Sequence, residues 1–309
     1  MEELAAQGLM ALLEYLGEFI RKLWDALVLF FKGDVLAPSI FEMINTGIGI
    51  YNGLIGNAID QLTTNPMQWN EAGWGLIVNE VYPAFLVLAC PLVAIFSLHE
   101  FSSDSSDLRM NGNLRLDRTI PAFFKMSLAQ FITVYSIYII VALFSFVDLL
   151  TGGWINRNAM ISYNLEFTLS EVVALSGWMT LLTWLLSLVY MGVLIVVAGI
   201  ILYTSSIRFI KIFALSPFGT LASSTIAGNR ELNQTAKQFW KYIIGVVLEA
   251  VLMLVILALF AKFQGTLTIA SLDGSLRIVG VLLNRILIAV LCLGSIKGAG
   301  YWIQRSMGM

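Results

Sequence analysis

Residues 204–241, TSSIRFIKIFALSPFGTLASSTIAGNRELNQTAKQFWK, lie between two long apolar segments and are basic at both ends. The centre of this stretch is a run of small, weakly apolar residues that is broken by Pro217, Gly219 and Gly228. A continuous helix is not expected here, because proline lacks a backbone donor and glycine permits positive φ. Irregular backbone at membrane depth is tolerated only where protein or water satisfies its polar groups. We therefore predict a re-entrant-like loop that faces a cavity or a neighbouring subunit; a plain interfacial linker is the alternative.

The composition of the whole chain predicts a membrane protein. Of the 309 residues 58% are hydrophobic and 12% are charged, and the mean hydropathy is +0.83. A soluble domain carries about 25% charged residues. The net charge of −2 gives no support for nucleic-acid binding by the chain as a whole. The predicted fold class is an all-α polytopic membrane protein.

Five apolar stretches are long enough to cross a bilayer. They lie at about 81–99, 120–148, 171–203, 239–263 and 277–297. Together they define a transmembrane domain over residues 81–300, which a tail, residues 301–309, follows. The third stretch has a helical length of about 50 Å, well beyond the ~30 Å of hydrocarbon in a bilayer. We expect it to tilt, to break or to project from the membrane.

Residues 1–80 are predicted to form an amphipathic, interfacial helical region. Apolar residues recur at helical spacing through residues 4–31, and charged residues such as Glu18 and Lys22, four positions apart, take the opposite face. A helix on the membrane surface and a seam with a partner helix are both compatible with this pattern.

The segment that follows, residues 35–80, is rich in glycine and asparagine. Gly49 and Gly53 have the small-xxx-small spacing that permits close helix packing. Repeated asparagines argue against a span that faces lipid, so we predict a surface-associated or re-entrant helix, and whether residues 38–59 enter the membrane stays open. Residues 60–75 are predicted to be a loop, with Trp69 and Trp74 at the membrane interface.

The distribution of lysine and arginine predicts the orientation of the chain. Basic residues are frequent in 100–120, in 204–241 and in the tail, whereas 149–170 has one and 264–276 has none. The positive-inside rule therefore places the C-terminus in the cytoplasm and residues 1–80 outside the cytoplasmic membrane. The acidic start lacks the basic region of a secretory signal. Candidate contacts with a cytoplasmic partner are Arg208, Lys211, Pro217, Arg230, Lys237 and Lys241.

Sequence signatures of an enzyme are missing. The chain has no phosphate-binding loop, no HExxH and no CxxC, and its single histidine, His99, has no metal-ligating partners nearby in the sequence. Cys90 and Cys292 lie inside apolar stretches and are expected to be core residues. We predict neither a cofactor nor a metal, and no enzymatic activity.

Two ionisable residues lie deep in predicted spans. Glu249 is in the fourth span and Arg285 in the fifth, each about 12–15 Å from a membrane surface. An unpaired charge at this depth costs at least about 2.5–3.5 kcal/mol, so the two residues are predicted to form an ion pair. That pair either fixes two neighbouring helices or lines a hydrated path.

The order of these parts resembles a family of membrane proteins. Its features are a span, R-x-x-K, an apolar run with a proline, small residues, Gly-Asn, F-x-K and a second span. The residues that carry the likeness are Arg208, Lys211, Ala214, Pro217, Ala227, Gly228, Asn229, Phe239 and Lys241, together with the loop 102–130 before the second span. This pattern is similar to the TrbL-like family, the sixth protein of the VirB series, and to its archaeal DNA-transfer relatives. The likeness covers about residues 80–300.

The resemblance implies a non-enzymatic channel or platform subunit of a conjugation-type (type IV) secretion apparatus. Such a subunit forms a homo-oligomeric ring in the cytoplasmic membrane and helps move single-stranded DNA, often with bound protein. Its implied partners are a secretion ATPase on the cytoplasmic side and a pilin or stalk protein outside. Two other functions stay open: a secondary transporter or ABC-type permease for a small solute, and an architectural anchor for an envelope filament or pilus.

Overall fold

The computed structural model describes residues 14–25, 36–111, 116–151, 168–173, 177–263 and 276–308. Within these residues 96% of the chain is helical and no strand occurs. Five helices are long and apolar enough to cross a membrane. The prediction of an all-α, multi-pass membrane protein is confirmed.

The described residues form a series of helices that differ widely in length. They are α1 (14–25), α2 (Leu36–Thr63), α3 (Pro66–Trp69), α4 (Glu71–Leu76), α5 (Tyr82–Asn111), α6 (Leu116–Thr151), α7 (Leu169–Val173), α8 (Gly177–Leu215), α9 (Phe218–Ser224), α10 (Arg230–Phe263) and α11 (Arg277–Ser306). A π-helical turn, Ile77–Val81, precedes α5, and a 3₁₀ turn, Thr225–Ala227, follows α9. The candidate spans are Glu71–Ser102, Ile120–Val147, Met179–Leu215, Arg230–Phe263 and Arg277–Ser306.

The chain divides into two compact units. The first comprises Met1–Asp60, Ile155–Thr204 and Leu254–Lys297, and the second comprises Gln61–Trp154, Ser205–Met253 and Gly298–Met309. Four helices, α2, α8, α10 and α11, contribute residues to both units, α2 only through its last three residues in the second.

In the first unit, α2 buries one face along nearly its whole length. Ile40, Ile44, Ile48, Tyr51 and Ile55 are each at most 8% exposed, at the three- and four-residue spacing of a helix face. Asn45 and Asn57 fall on the opposite, exposed face of the helix. Whether residues 38–59 enter the membrane stays open. α2 is not among the five candidate spans.

The close helix contact of α2 lies at a different glycine from those predicted. A Cβ atom on Gly47 would stand 3.0 Å from Cγ of Met191 in α8, whereas nothing in the described structure lies within 4 Å of a Cβ on Gly49 or Gly53. The prediction that Gly49 and Gly53 pack against another helix is therefore not met within the chain. Both are exposed, and packing of this face against another copy of the chain stays a prediction.

Apolar clusters pack the described residues of the second unit. Trp74 and Tyr82 pack with Ile137 and Phe213, and Val93 packs with Ala129 and Ala227. A further cluster joins three helices and consists of Ile140, Phe144 and Val147 of α6, Ile212 of α8, and Ile243, Val246 and Val247 of α10. These clusters bury the end of α8 and the start of α10 among α5 and α6.

Two predicted loop boundaries are wrong. Residues 204–215 continue α8, because the side chains of Phe209, Ile212 and Phe213 recur at helical spacing and are buried. Residues 230–241 form the start of α10. The irregular connection is thus only Ser216–Asn229. α8 has 39 residues and is about 58 Å long, and it begins and ends farther toward the C-terminus than the predicted span. That it tilts in the membrane or projects from it stays a prediction. The predicted tail is also mostly helical, since α11 continues to Ser306.

The predicted loop at residues 60–75 forms two short capped helices instead. Asn65 Oδ1 accepts a hydrogen bond from Met67 N (3.1 Å), and Asn70 Oδ1 accepts one from Gly73 N (2.8 Å). Asparagine is a preferred N-cap residue, so Asn65 and Asn70 were signals for the start of a helix that the loop prediction did not use. Trp74 is 5% exposed and Trp69 stacks on Phe209 at 4.7 Å, so the fold uses both as packing residues.

Within the N-terminal region the structure describes α1. Lys22 Nζ lies 3.2 Å from Glu18 Oε1, as the spacing predicted, and it also donates to Thr46 Oγ1 of α2 (3.2 Å). On the apolar side Ile20 and Trp24 are more than 60% exposed. α1 therefore presents an uncovered apolar surface, as an amphipathic helix does; the remainder of residues 4–31 lies outside the described residues.

Candidate functional site

The connection between α8 and α10 begins at a proline and ends at a helix cap. Ser216 N still donates to Ile212 O (2.8 Å), but Pro217 has no N–H to continue the α8 pattern. After α9 and the 3₁₀ turn, Gly228 is extended (φ −82°, ψ −175°). Asn229 Oδ1 then accepts from Leu232 N (3.0 Å) and starts α10. The predicted breaks at Pro217 and Gly228 are therefore those of the structure.

The re-entrant segment, defined as Ser216–Asn229, is buried in spite of its hydroxyl groups. Ser216, Thr220, Ser223 and Ser224 are each 0% exposed. Three of the hydroxyls donate back to carbonyls one turn earlier, at 2.6 to 2.8 Å. Because the polar groups are satisfied locally, the segment can pack against α5 and α6 without the cost of unpaired donors.

Two contacts from outside hold this segment in place. Trp240 Nε1 of α10 donates to Ser223 Oγ (3.2 Å), and a Cβ on Gly219 would already touch the ring of Phe239 at 3.4 Å. The F-x-K part of the sequence pattern therefore begins with an aromatic residue that lies against the segment. The small residue at position 219 leaves room for that ring.

A lysine of α6 joins the end of the re-entrant segment to α5. Lys125 Nζ lies 2.6 Å from both carboxylate oxygens of Glu100 and 2.6 Å from the carbonyl oxygen of Gly228. The Lys125 and Glu100 side chains are 28% and 26% exposed. The Lys125 bridge, defined as these three residues, links three parts of the second unit through one ammonium group.

Arg208 is buried in α8 among aromatic rings. It is 2% exposed, and its guanidinium carbon lies 5.2 Å from the ring centre of Phe209 and 5.8 Å from that of Phe144. Nη2 donates to the carbonyls of Gln61 and Leu62, both at 3.3 Å, at the C-terminal end of α2. A cation at this position satisfies backbone carbonyls that a helix end leaves unpaired.

Glu249 of α10 is the carboxylate that acts electrostatically on Arg208. Its Oε1 atom stands 2.9 Å from the position of a Cβ on Gly300, so the glycine leaves space for the carboxylate. A cavity of about 10 Å³ adjoins it, lined by Lys211, Tyr242, Gly245, Val246, Glu249, Gly300 and Gln304. This volume is about that of one water molecule, and the polar lining suits one. We call Arg208, Lys211 and Glu249 the charge cluster; Arg208 is buried, and the other two are half-buried.

The residues predicted to contact a partner divide into a buried and an exposed group. Arg208 and Pro217 are buried, so the prediction that they contact a cytoplasmic partner is corrected. Arg230, Lys237 and Lys241 are exposed on the first turns of α10, and Lys211 is half-buried. Contact of the exposed residues with a partner stays a prediction.

The predicted ion pair between Glu249 and Arg285 stays a prediction. Arg285 is 7% exposed and belongs to the first unit, whereas Glu249 is half-buried and belongs to the second.

Several residues of this region were not singled out from the sequence. The sequence does offer a signal for Lys125 and Glu100, because charged residues at neighbouring ends of two successive spans are expected to be paired. It offers none for the contact between Arg208 and Phe144, which are far apart in the sequence. Among the described residues no group of three or more histidine, cysteine, aspartate or glutamate side chains is arranged to hold a metal ion.

Comparison of the chain with protein-family models, with curated proteins and with solved structures finds no match. The resemblance to the TrbL-like family therefore rests on the sequence pattern alone.

Proposed function

We propose that the chain is a non-enzymatic subunit of a membrane channel or platform in a conjugation-type secretion apparatus, where it helps move single-stranded DNA or DNA with bound protein across the cytoplasmic membrane. The observation that carries the proposal is the re-entrant segment. It is a buried, hydroxyl-rich connection between two long helices, and it falls where the family pattern has its proline, small residues and Gly-Asn.

The surface of the chain supports assembly with other proteins. The exposed face of α2 carries Asn45, Gly49, Gly53 and Asn57, and small residues at this spacing let helix backbones approach closely. We propose that this face packs against a neighbouring copy in a homo-oligomeric ring. Arg230, an exposed basic residue at the start of α10, then remains available to a secretion ATPase on the cytoplasmic side, with residues 1–80 outside beside a pilin or stalk protein.

DNA transfer provides the test of this proposal. In cells that lack the chain, the wild-type gene is expected to restore transfer, and a Lys125→Met variant, which frees the re-entrant segment, is expected to lower it. Lys262→Met is the matched control, since Lys262 is an exposed lysine at the far end of α10. A purified wild-type chain that is monomeric in membranes, together with unchanged transfer when the chain is deleted, would refute the proposal.

A second candidate function is favoured by the charge cluster. Two of its members, Lys211 and Glu249, line a water-sized cavity on candidate membrane-spanning helices, and such residues are typical of a secondary transporter for a small ion or solute. In this case Glu249→Gln is expected to abolish solute uptake into reconstituted vesicles while the protein still folds. Under the secretion proposal the same variant is expected to transfer DNA at the wild-type level if the cluster only stabilises the helices.

A further inference from the structure

The start of α10 carries a groove whose lining includes two lysines and two glutamines. The groove has a volume of about 660 Å³ and is lined by Gln234, Lys237, Gln238, Lys241, Tyr242 and Gly308. The first five lining residues stand at i, i+3, i+4, i+7 and i+8 and therefore share one face of the helix. They present two ammonium groups, two amides and a phenol, and none of the six side chains carries a carboxylate.

The two lysines have hydrogen-bonding capacity to spare. Lys241 Nζ donates to the carbonyl oxygen of Met307 (3.1 Å), which holds the ammonium beside the groove. An ammonium has three N–H donors, so two remain for a ligand. Within the described part of the chain no carboxylate forms an ion pair with Lys237 or Lys241. The groove is thus an electropositive site whose charge the described residues do not neutralise.

The position of the groove on α10 is that of a membrane surface. Residues 242–261 form an apolar run with Glu249 as its one charged residue, and Lys241 and Lys262 bracket it. Twenty helical residues span about 30 Å, the thickness of the hydrocarbon layer. Lys241 therefore lies where the hydrocarbon ends, and Lys237 lies one turn farther out, at the level of lipid headgroups.

An apolar surface continues from the groove along the same face of the helix. Leu248 follows Lys241 by seven positions, two turns away in the direction of the apolar run, and is 39% exposed. Leu252 follows on the same face and is half-buried. A ligand with a phosphate and an acyl chain matches a basic groove followed by an apolar surface. A nucleic acid has no apolar chain that could lie along Leu248 and Leu252.

We propose that the groove at Lys237 and Lys241 binds the headgroup of an anionic phospholipid, with the phosphodiester between the two ammonium groups and an acyl chain along Leu248. Basic pockets at the ends of membrane helices bind such headgroups, because each basic residue near the surface attracts the anionic lipid. This inference does not depend on the proposed function, since a transporter or an anchor would present the same groove.

Lipid binding to the purified full-length chain tests the inference. The chain is incubated in detergent with phosphatidylglycerol or with phosphatidylcholine, and bound lipid is counted by native mass spectrometry. We expect phosphatidylglycerol to bind the wild type, and the Lys237→Gln/Lys241→Gln variant to bind it about thirty-fold more weakly. Lys262→Gln, at the other end of the same apolar run, is the matched control and is expected to bind as the wild type does.

Three further measurements make the test decisive. Lys237→Arg/Lys241→Arg is expected to retain the lipid, which separates the role of charge from a folding defect. Leu248→Asn is expected to weaken the binding of phosphatidylglycerol and to leave the binding of soluble glycerol phosphate unchanged. This difference distinguishes a lipid ligand from a free phosphate. Equal losses in the Lys262→Gln control, or lysine-dependent binding of a single-stranded oligonucleotide without binding of phosphatidylglycerol, would overturn the inference.

Discussion

Gly47 allows a direct test of how α2 packs against α8. A Cβ atom at position 47 would lie 3.0 Å from Cγ of Met191 and 3.2 Å from its Cα. The second atom belongs to the backbone, so Met191 cannot relieve the contact by rotating its side chain, and the two helices must move apart. Overpacking of this kind costs about 1–3 kcal/mol, against a gain of about 1 kcal/mol when glycine becomes alanine in a helix. Gly47→Ala is therefore expected to destabilise the protein by up to about 2 kcal/mol.

The same helix offers matched controls for this substitution. Gly49 and Gly53 are exposed, and no atom of the described structure lies within 4 Å of a Cβ at either position. Alanine at these positions meets no obstacle and is expected to stabilise the helix by about 0.5–1 kcal/mol. The free energies of unfolding of Gly47→Ala and Gly49→Ala should thus differ by about 1–3 kcal/mol.

Unfolding of the purified chain in mixed micelles, followed by tryptophan fluorescence during titration with sodium dodecyl sulfate, measures this difference. Equal midpoints for Gly47→Ala and Gly49→Ala would refute the contact between α2 and α8 at Met191. A loss of stability in Gly49→Ala that depends on protein concentration would instead indicate that the exposed face of α2 packs against another copy.

Other expected outcomes use the same unfolding assay or chemical labelling. Lys125→Met removes the Lys125 bridge and is expected to cost about 1–3 kcal/mol by leaving the Gly228 carbonyl and the Glu100 carboxylate unpaired; an equal cost for Lys262→Met would contradict this. Arg208→Met is expected to cost about 2–4 kcal/mol through two hydrogen bonds and two ring contacts, and Arg208→Lys to recover part of it. Trp240→Phe and Ser223→Ala are each expected to cost about 1 kcal/mol, and the double variant no more than either, since both remove one hydrogen bond. Cysteines that replace Lys241 and Lys262 are expected to react with a membrane-impermeant maleimide from opposite sides; labelling from one side would show that α10 does not cross.

The number of spans could be predicted from the sequence, and their ends could not. Hydropathy alone identified five apolar stretches, because the cost of placing charges in hydrocarbon is large and local. The ends of helices depend on caps and on packing. Residues 230–241 are polar, so hydropathy assigned them to a loop, but Asn229 caps them as the first turns of α10. Arg208 and Lys211 suggested that residues 204–215 were a loop. The segment is helical nevertheless, because Phe209 and Ile212 are buried and hold this part of α8 in the core.

The candidate site was predictable in part. The breaks at Pro217 and Gly228 follow from the backbone properties of proline and glycine alone. The structure has a break in the helix at both positions. The partners of buried charges are set by tertiary contacts between distant segments. Arg208 bonds to carbonyls at positions 61 and 62 and lies over a ring at position 144, and no spacing rule connects these positions.

The burial of Arg208 also bears on the proposed orientation. The positive-inside rule counts basic residues that stay in the aqueous phase during insertion, and a guanidinium enclosed by Phe144, Phe209 and the end of α2 is no longer such a residue. Without it the stretch 204–241 still has Lys211, Arg230, Lys237 and Lys241, whereas residues 264–276 have no basic residue. The segment before the apolar part of α10 therefore still has more basic residues than the segment after it. The proposed cytoplasmic location of the re-entrant segment depends on the exposed lysines of α10 and not on the arginine that begins the sequence pattern.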